Sequence, residues 1–132
     1  MRRTLKKSEI LRGKRNFESI FERGKRVRSE YIQGIVLECP GRDTDAPGIL
    51  MAAVVPKAAG KAASRNRIRR LIREAYRHNK DIIRPGGERP DRTLQVVFLW
   101  SPRARLALGT VSFPLVREEI TGLLHRIKEQ FR

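Results

Sequence analysis

The sequence predicts an α+β fold, one small sheet with helices packed on it in the order α-β-β-β-α-β-α, built as a single domain over residues 1–132. Two apolar runs predict the sheet. ILMAAVV at 49–55 and LQVVFLW at 94–100 have the length and β-branched or aromatic content of buried strands. Two longer stretches, between Lys57 and Asn79 and after Ser112, repeat their apolar residues at helical spacing. Hydrophobic residues make up 39% of 132 residues, which sustains one modest core and excludes a disordered basic tail.

Residues 1–15 read as a basic, loosely structured arm. Asn16 is suited to cap a short helix, NFESIFER, which Gly24 would end at its C′ position. Phe17, Ile20 and Phe21 share one face of it. EYIQGIVLE at 30–38 reads as a strand. The loop CPGRDTDAPG turns the chain into the strand at 49–55, which Pro56 ends. After the long stretch 57–79, RPGGERPDR at 84–92 is a Gly/Pro-rich loop leading to the strand at 94–100. Ser112 can cap the last helix, with Pro114 tolerated in its first turn. Val116, Ile120, Leu123, Leu124, Ile127 and Phe131 form its apolar stripe.

The charge balance narrows the function. Thirty Lys and Arg against 14 Asp and Glu give a formal net charge of +16. Such an excess repels itself in the folded state and is suited to a polyanionic partner, nucleic acid before an anionic membrane. No apolar run is long enough to span a bilayer, and the basic N-terminus is not followed by the apolar segment of a secretory signal. A single cysteine, Cys39, excludes an intrachain disulfide and fits a reducing, cytoplasmic setting. Two histidines and one cysteine, far apart, make no metal-ligand spacing, so no metal site is expected on the protein.

GKAASRNRIRRLIREAYR, Gly60 to Arg77, concentrates the charge: six arginines and Lys61. On a helical wheel Ile68, Leu71, Ile72 and Ala75 cluster, with Tyr76 at their edge. Asn66, Arg69, Arg70, Arg73 and Arg77 lie opposite, and Arg65 and Arg67 sit at the margins. Glu74 alone offers an acidic partner, to Arg70 or Arg77, so the i, i+4 arginine pairs repel by a few tenths of a kcal/mol each. A charge run is usually a solvated face or a localisation signal. Here the missing acidic partners and the overall charge favour a phosphate lattice, which arginine grips bidentately. Lys57, Lys61 and Arg65 surround the helix start, whose free N–H groups suit an anion.

SRNRIRRLIREAYR resembles the signature of the bacterial ribonuclease P protein family. Gly60, Ala62, Arg65, Asn66, Arg67, Ile68, Arg70, Leu71, Arg73 and Glu74 stand where that family has them. NFESIFERGKRV resembles the family's first helix and the glycine that ends it, and the element order covers nearly the whole chain. Pro56-Lys57-Ala58 departs from the Ser-Lys-Lys or Ser-Lys-Arg common there, and Lys61 offers a replacement charge.

The resemblance implies a ribosomal protein domain 2-like fold with a left-handed βαβ crossover, which handedness statistics alone would not predict. It also implies a small cofactor of a catalytic RNA that removes the 5′ leader of precursor tRNA by Mg²⁺-dependent hydrolysis, with the metal held mainly by RNA. The partners implied are ribonuclease P RNA and precursor tRNA, with no membrane and no protein partner. The arginine helix would bind the RNA, through Lys57, Lys61, Arg65, Asn66, Arg67, Arg69, Arg70, Arg73 and Arg77. A cleft between the first helix and the sheet would bind the leader through Phe17, Phe21 and Tyr31.

By helical spacing alone Phe17 and Phe21 read as core; by resemblance they read as a stacking platform for bases of any sequence. No catalytic set is visible on the protein. His78 and His125 have no nucleophile near them in sequence, and Asp43 and Asp45 lie in a loop without further acidic ligands. The alternative is a non-enzymatic RNA- or DNA-binding module of ribosomal type that uses one basic helix.

Overall fold

A computed structural model describes residues 5, 7–40, 48–83, 92–104 and 106–130. Asp43, Asp45, Phe131 and most of the loop at 84–92 lie outside them. The elements are α1 (Lys14–Arg23), β1 (Lys25–Arg28), β2 (Ile32–Pro40), β3 (Ile49–Val54), α2 (Ala62–Asn79), β4 (Arg92–Trp100) and α3 (Phe113–Gln130). This is the predicted α-β-β-β-α-β-α order on one four-stranded sheet, with strand order β1-β2-β4-β3. β1 pairs with β2, and β2 with β4, antiparallel; β3 and β4 are parallel, so the chain between them crosses over through α2.

Strand alternation divides the side chains between two layers. Ile32, Val36, Ile49, Met51, Ala53, Val96, Phe98 and Trp100 meet Ile68, Ile72 and Tyr76 of α2 and Val116, Ile120, Leu124 and Ile127 of α3 in the main core. Ile35, Ala52, Val97 and Leu99 point to the other face, where Ile20 of α1 and Leu11 cover them. α2 and α3 therefore lie on one face and α1 on the other.

α1 begins two residues before the expected Asn16. Gly13, at φ 95°, takes the N-cap position, and the Asn16 amide donates back to the Arg12 carbonyl (2.8 Å) instead of capping. Gly24 is extended (φ −68°), not left-handed, and its glycine identity comes from crowding. A Cβ there would sit 2.5 Å from the Ile20 carbonyl oxygen and 2.7 Å from Ile35 Cγ2.

The sequence does not delimit β1, because KRVR shows a single apolar residue. Val27 alone turns into the core, and short basic edge strands resist pairing with other chains. Residues 7–13 are not a loose arm. Lys7–Glu9 forms a 3-10 turn, Ile10 bridges Met51, the Leu11 N–H donates to the Met51 carbonyl (2.7 Å), and Glu9 pairs with Lys80 (2.9 Å). At α3 the Ser112 hydroxyl accepts the Leu115 N–H, and Val116, Ile120, Leu123, Leu124 and Ile127 of the expected stripe are buried.

Candidate nucleic-acid interface

α2 buries Ile68, Ile72, Ala75 and Tyr76 and turns its arginines outward. Tyr76 is buried in the main core, and that burial, with a lesser contribution from Glu9, raises its hydroxyl far above its ordinary pKa. The guanidinium groups divide by partner. Arg65 Nε folds back onto the Gly60 carbonyl (3.1 Å), and Arg69 donates to the Asn66 side-chain oxygen. Arg67 Nη1 reaches the Leu108 carbonyl (3.3 Å), tying α2 to the segment before α3. Gly60 supports the same junction, since a Cβ there would lie 3.0 Å from Leu108 Cδ1. Arg77 and His78 both engage Glu74, and the Arg77 hydrogen bond holds the Glu74 carboxyl below its usual range against a smaller opposing effect of burial. Arg70 and Arg73 are exposed and have no partner among the described residues.

Lys57 and Lys61 are exposed beside the start of α2, which carries no side-chain cap. Lys57, Lys61, Asn66, Arg70 and Arg73 thus form a solvent-facing row. Arg65 and Arg69 flank it, and Arg67 and Arg77 spend part of their hydrogen-bonding capacity within the protein.

The first-helix aromatics separate. Ile20 is fully buried, Phe17 packs partly buried against the same small cluster, and Phe21 is 36% exposed. Phe21 borders an open groove of about 510 Å³, with Arg26, Arg28, Ser29, Glu30, Gln33, Leu99, Ser101, Pro102 and Arg103. Its polar floor is connected: Arg26 donates to the Gln33 side-chain oxygen (3.0 Å), and the Gln33 amide donates to the Ser101 hydroxyl (3.3 Å).

Tyr31 does not join this groove. Its ring stacks on Trp100, with centroids 6.0 Å apart and planes within 10°, against the main core under α2 and α3. Tyr31 precedes β2, so strand alternation does not govern where its ring goes. Sequence reasoning misses Arg26, Arg28, Gln33 and Arg103. The signal for two of them is present: in KRVR, an inward Val27 sends Arg26 and Arg28 to the opposite face.

The family model described as Ribonuclease P matches residues 5–128. The chain belongs to the ribonuclease P protein family. It is 34% identical over 130 residues to the ribonuclease P protein component of Thermotoga maritima, covering 97% of this chain and 99% of that one. The corresponding component of Syntrophus aciditrophicus is 45% identical over 78 residues, 59% of this chain and 61% of that one. The solved ribonuclease P protein from Thermotoga maritima superposes with a TM-score of 0.71 at 29% identity, over 90% of this chain and 97% of that one. The Staphylococcus aureus RNase P protein, at 18% identity and a TM-score of 0.68 over 91% of this chain and 95% of that one, shares the fold. In this chain the motif arginines lie on α2 and the exposed Phe21 lies across the sheet from them, so the two candidate surfaces occupy opposite faces.

Proposed function

We propose that the chain is the protein subunit of ribonuclease P, binding the catalytic RNA along α2 and the 5′ leader of precursor tRNA in the groove beside α1, and so supporting leader removal in the cytoplasm. The observation that carries this reading is the pair Arg70 and Arg73, outward on α2 without partners among the described residues, in a chain whose family match spans residues 5–128. Unpaired guanidinium groups on a rigid helix are suited to phosphates, because no internal ion pair has to break first.

The groove supports the second half of the reading. It sets one exposed aromatic ring beside Arg26, Arg28 and Arg103. A ring that stacks any base, with cations along the backbone, suits a single strand of variable sequence. A plain basic-helix module has no use for this second surface on the far face.

Catalysis we assign to the RNA, together with magnesium, which supplies charge neutralisation and an activated water in phosphodiester hydrolysis. In this reading the chain's own residues bind and orient. None of its described helices is long and apolar enough to cross a membrane.

The test adds the purified chain to a bacterial ribonuclease P RNA and follows precursor-tRNA cleavage at low magnesium. Stimulated cleavage at the leader junction, with none by the protein alone, is expected. No stimulation, or cleavage that survives nuclease treatment and refolding of the protein, would overturn the reading.

A further inference from the structure

Glu119 reaches from α3 to the turn between β1 and β2. Its Oε1 accepts the backbone N–H groups of Tyr31 (2.5 Å) and Ile32 (3.0 Å), and its Oε2 accepts the Ser29 hydroxyl. Further along the same helix, Arg126 Nη1 donates to the Arg28 carbonyl. One helix therefore grips the turn on both sides.

The turn needs that grip. Ser29, Glu30 and Tyr31 connect the strands, with the Ser29 N–H donating to the Ile32 carbonyl (3.0 Å). The register places Ser29 opposite Ile32, with Glu30 and Tyr31 at the tip, and two-residue hairpin loops ordinarily use turns with positive φ, which favour glycine or asparagine. This turn contains no glycine, and no non-glycine residue among those described has a positive φ. Its own sequence does not specify its shape, so tertiary contacts must. A carboxylate that accepts two successive N–H groups and a hydroxyl is a strong contact of that kind.

What the turn carries is the basic wall of the groove. Arg28, Ser29 and Glu30 line it, whereas Glu119 does not. α3 packs on the opposite face of the sheet from α1.

We infer that Glu119 is a positioning residue for leader recognition, fixing the β1–β2 turn from behind so that Arg28 is presented to the phosphates of the single strand in the groove. This rests on the reading that the groove takes the leader.

The test is a double-mutant cycle of Glu119→Ala and Arg28→Ala in the assembled holoenzyme. It reads affinity for leader-bearing precursor and for leaderless tRNA, with thermal unfolding of each free variant. R28A is expected to weaken leader-bearing precursor selectively. E119A is expected to do the same, by about five- to tenfold, and to add little in the R28A background, as coupled residues do. E119Q keeps an oxygen for the two N–H groups and an amide for the Ser29 hydroxyl, so it should restore most of the affinity.

Additive losses, or equal losses for leaderless tRNA, would overturn the positioning role. An R28A variant with unchanged leader affinity would sink the groove reading itself, which separates the two failures. If E119A does not fold, E119D, which keeps the charge but withdraws the carboxylate from the turn, runs the same cycle with the same deciding outcomes.

Discussion

Ile20 and Phe21 are adjacent in sequence yet have opposite duties. Ile20 has no exposed surface, and Phe21 keeps 36%. Ile20→Ala should cost about 2–5 kcal/mol in unfolding free energy through reduced burial and the cavity left behind. Phe21→Ala should cost distinctly less, and its effect should appear in leader affinity, on the order of 1–3 kcal/mol per stacked base. Thermal melts of the two variants, set beside binding of leader-bearing precursor, check this. A Phe21→Ala protein as unstable as Ile20→Ala would return Phe21 to the core. Gly24→Ala offers a sharper steric test. Its Cβ would meet the Ile20 carbonyl oxygen at 2.5 Å, and a backbone atom cannot swing aside as a flexible side chain can. A melting temperature equal to wild type would contradict that crowding. At Cys39, burial raises the thiol pKa, against a smaller lowering by Arg23. The thiolate fraction near neutral pH is therefore reduced, and alkylation should run slower than for an unstructured cysteine peptide.

Along α2 the arginines differ in kind. Removing Arg70 and Arg73 together should leave folding intact and lower the log–log salt slope of binding to the catalytic RNA by about 0.7–0.9 for each phosphate no longer neutralised. Arg67→Ala should instead cost about 0.5–1.5 kcal/mol of stability, because its guanidinium holds the Leu108 carbonyl. Salt titrations and melts of the two variants separate these outcomes; an unchanged slope for R70A/R73A would show that α2 is not the RNA face. The faces of α2 and α3 are legible in sequence because burial repeats at helical spacing for Ile68, Ile72 and Ala75, and for Val116, Ile120, Leu123 and Ile127. β1 is hard to read because one apolar residue in four makes no pattern, and only pairing with β2 defines it. The start of α1 is missed because Asn16 has the right chemistry for a cap, while Gly13 has the backbone geometry that decides. The groove is legible through Phe21, and through KRVR once Val27 is placed inward. Its basic members come from β1 and from the segment after β4, and topology alone brings these together.

At the scale of the molecule, two basic surfaces of a chain with net charge +16 lie on the two faces of one sheet. The α2 row occupies one and the α1 groove the other, an arrangement suited to a small protein set between a structured RNA and a flexible strand. Affinity for both partners should fall steeply with salt. The two surfaces should nevertheless fail separately, since Phe21 and the Arg70/Arg73 pair lie on opposite faces and distant sites act independently. The most direct measurement compares F21A with R70A/R73A in two assays: affinity of the free protein for the catalytic RNA, and the ratio of holoenzyme affinities for leader-bearing and leaderless tRNA. F21A should lower the ratio and leave RNA affinity as it was, while R70A/R73A should lower RNA affinity and, once the complex is saturated, leave the ratio as it was. Equal losses in both assays for both variants would contradict the division of labour between the two faces.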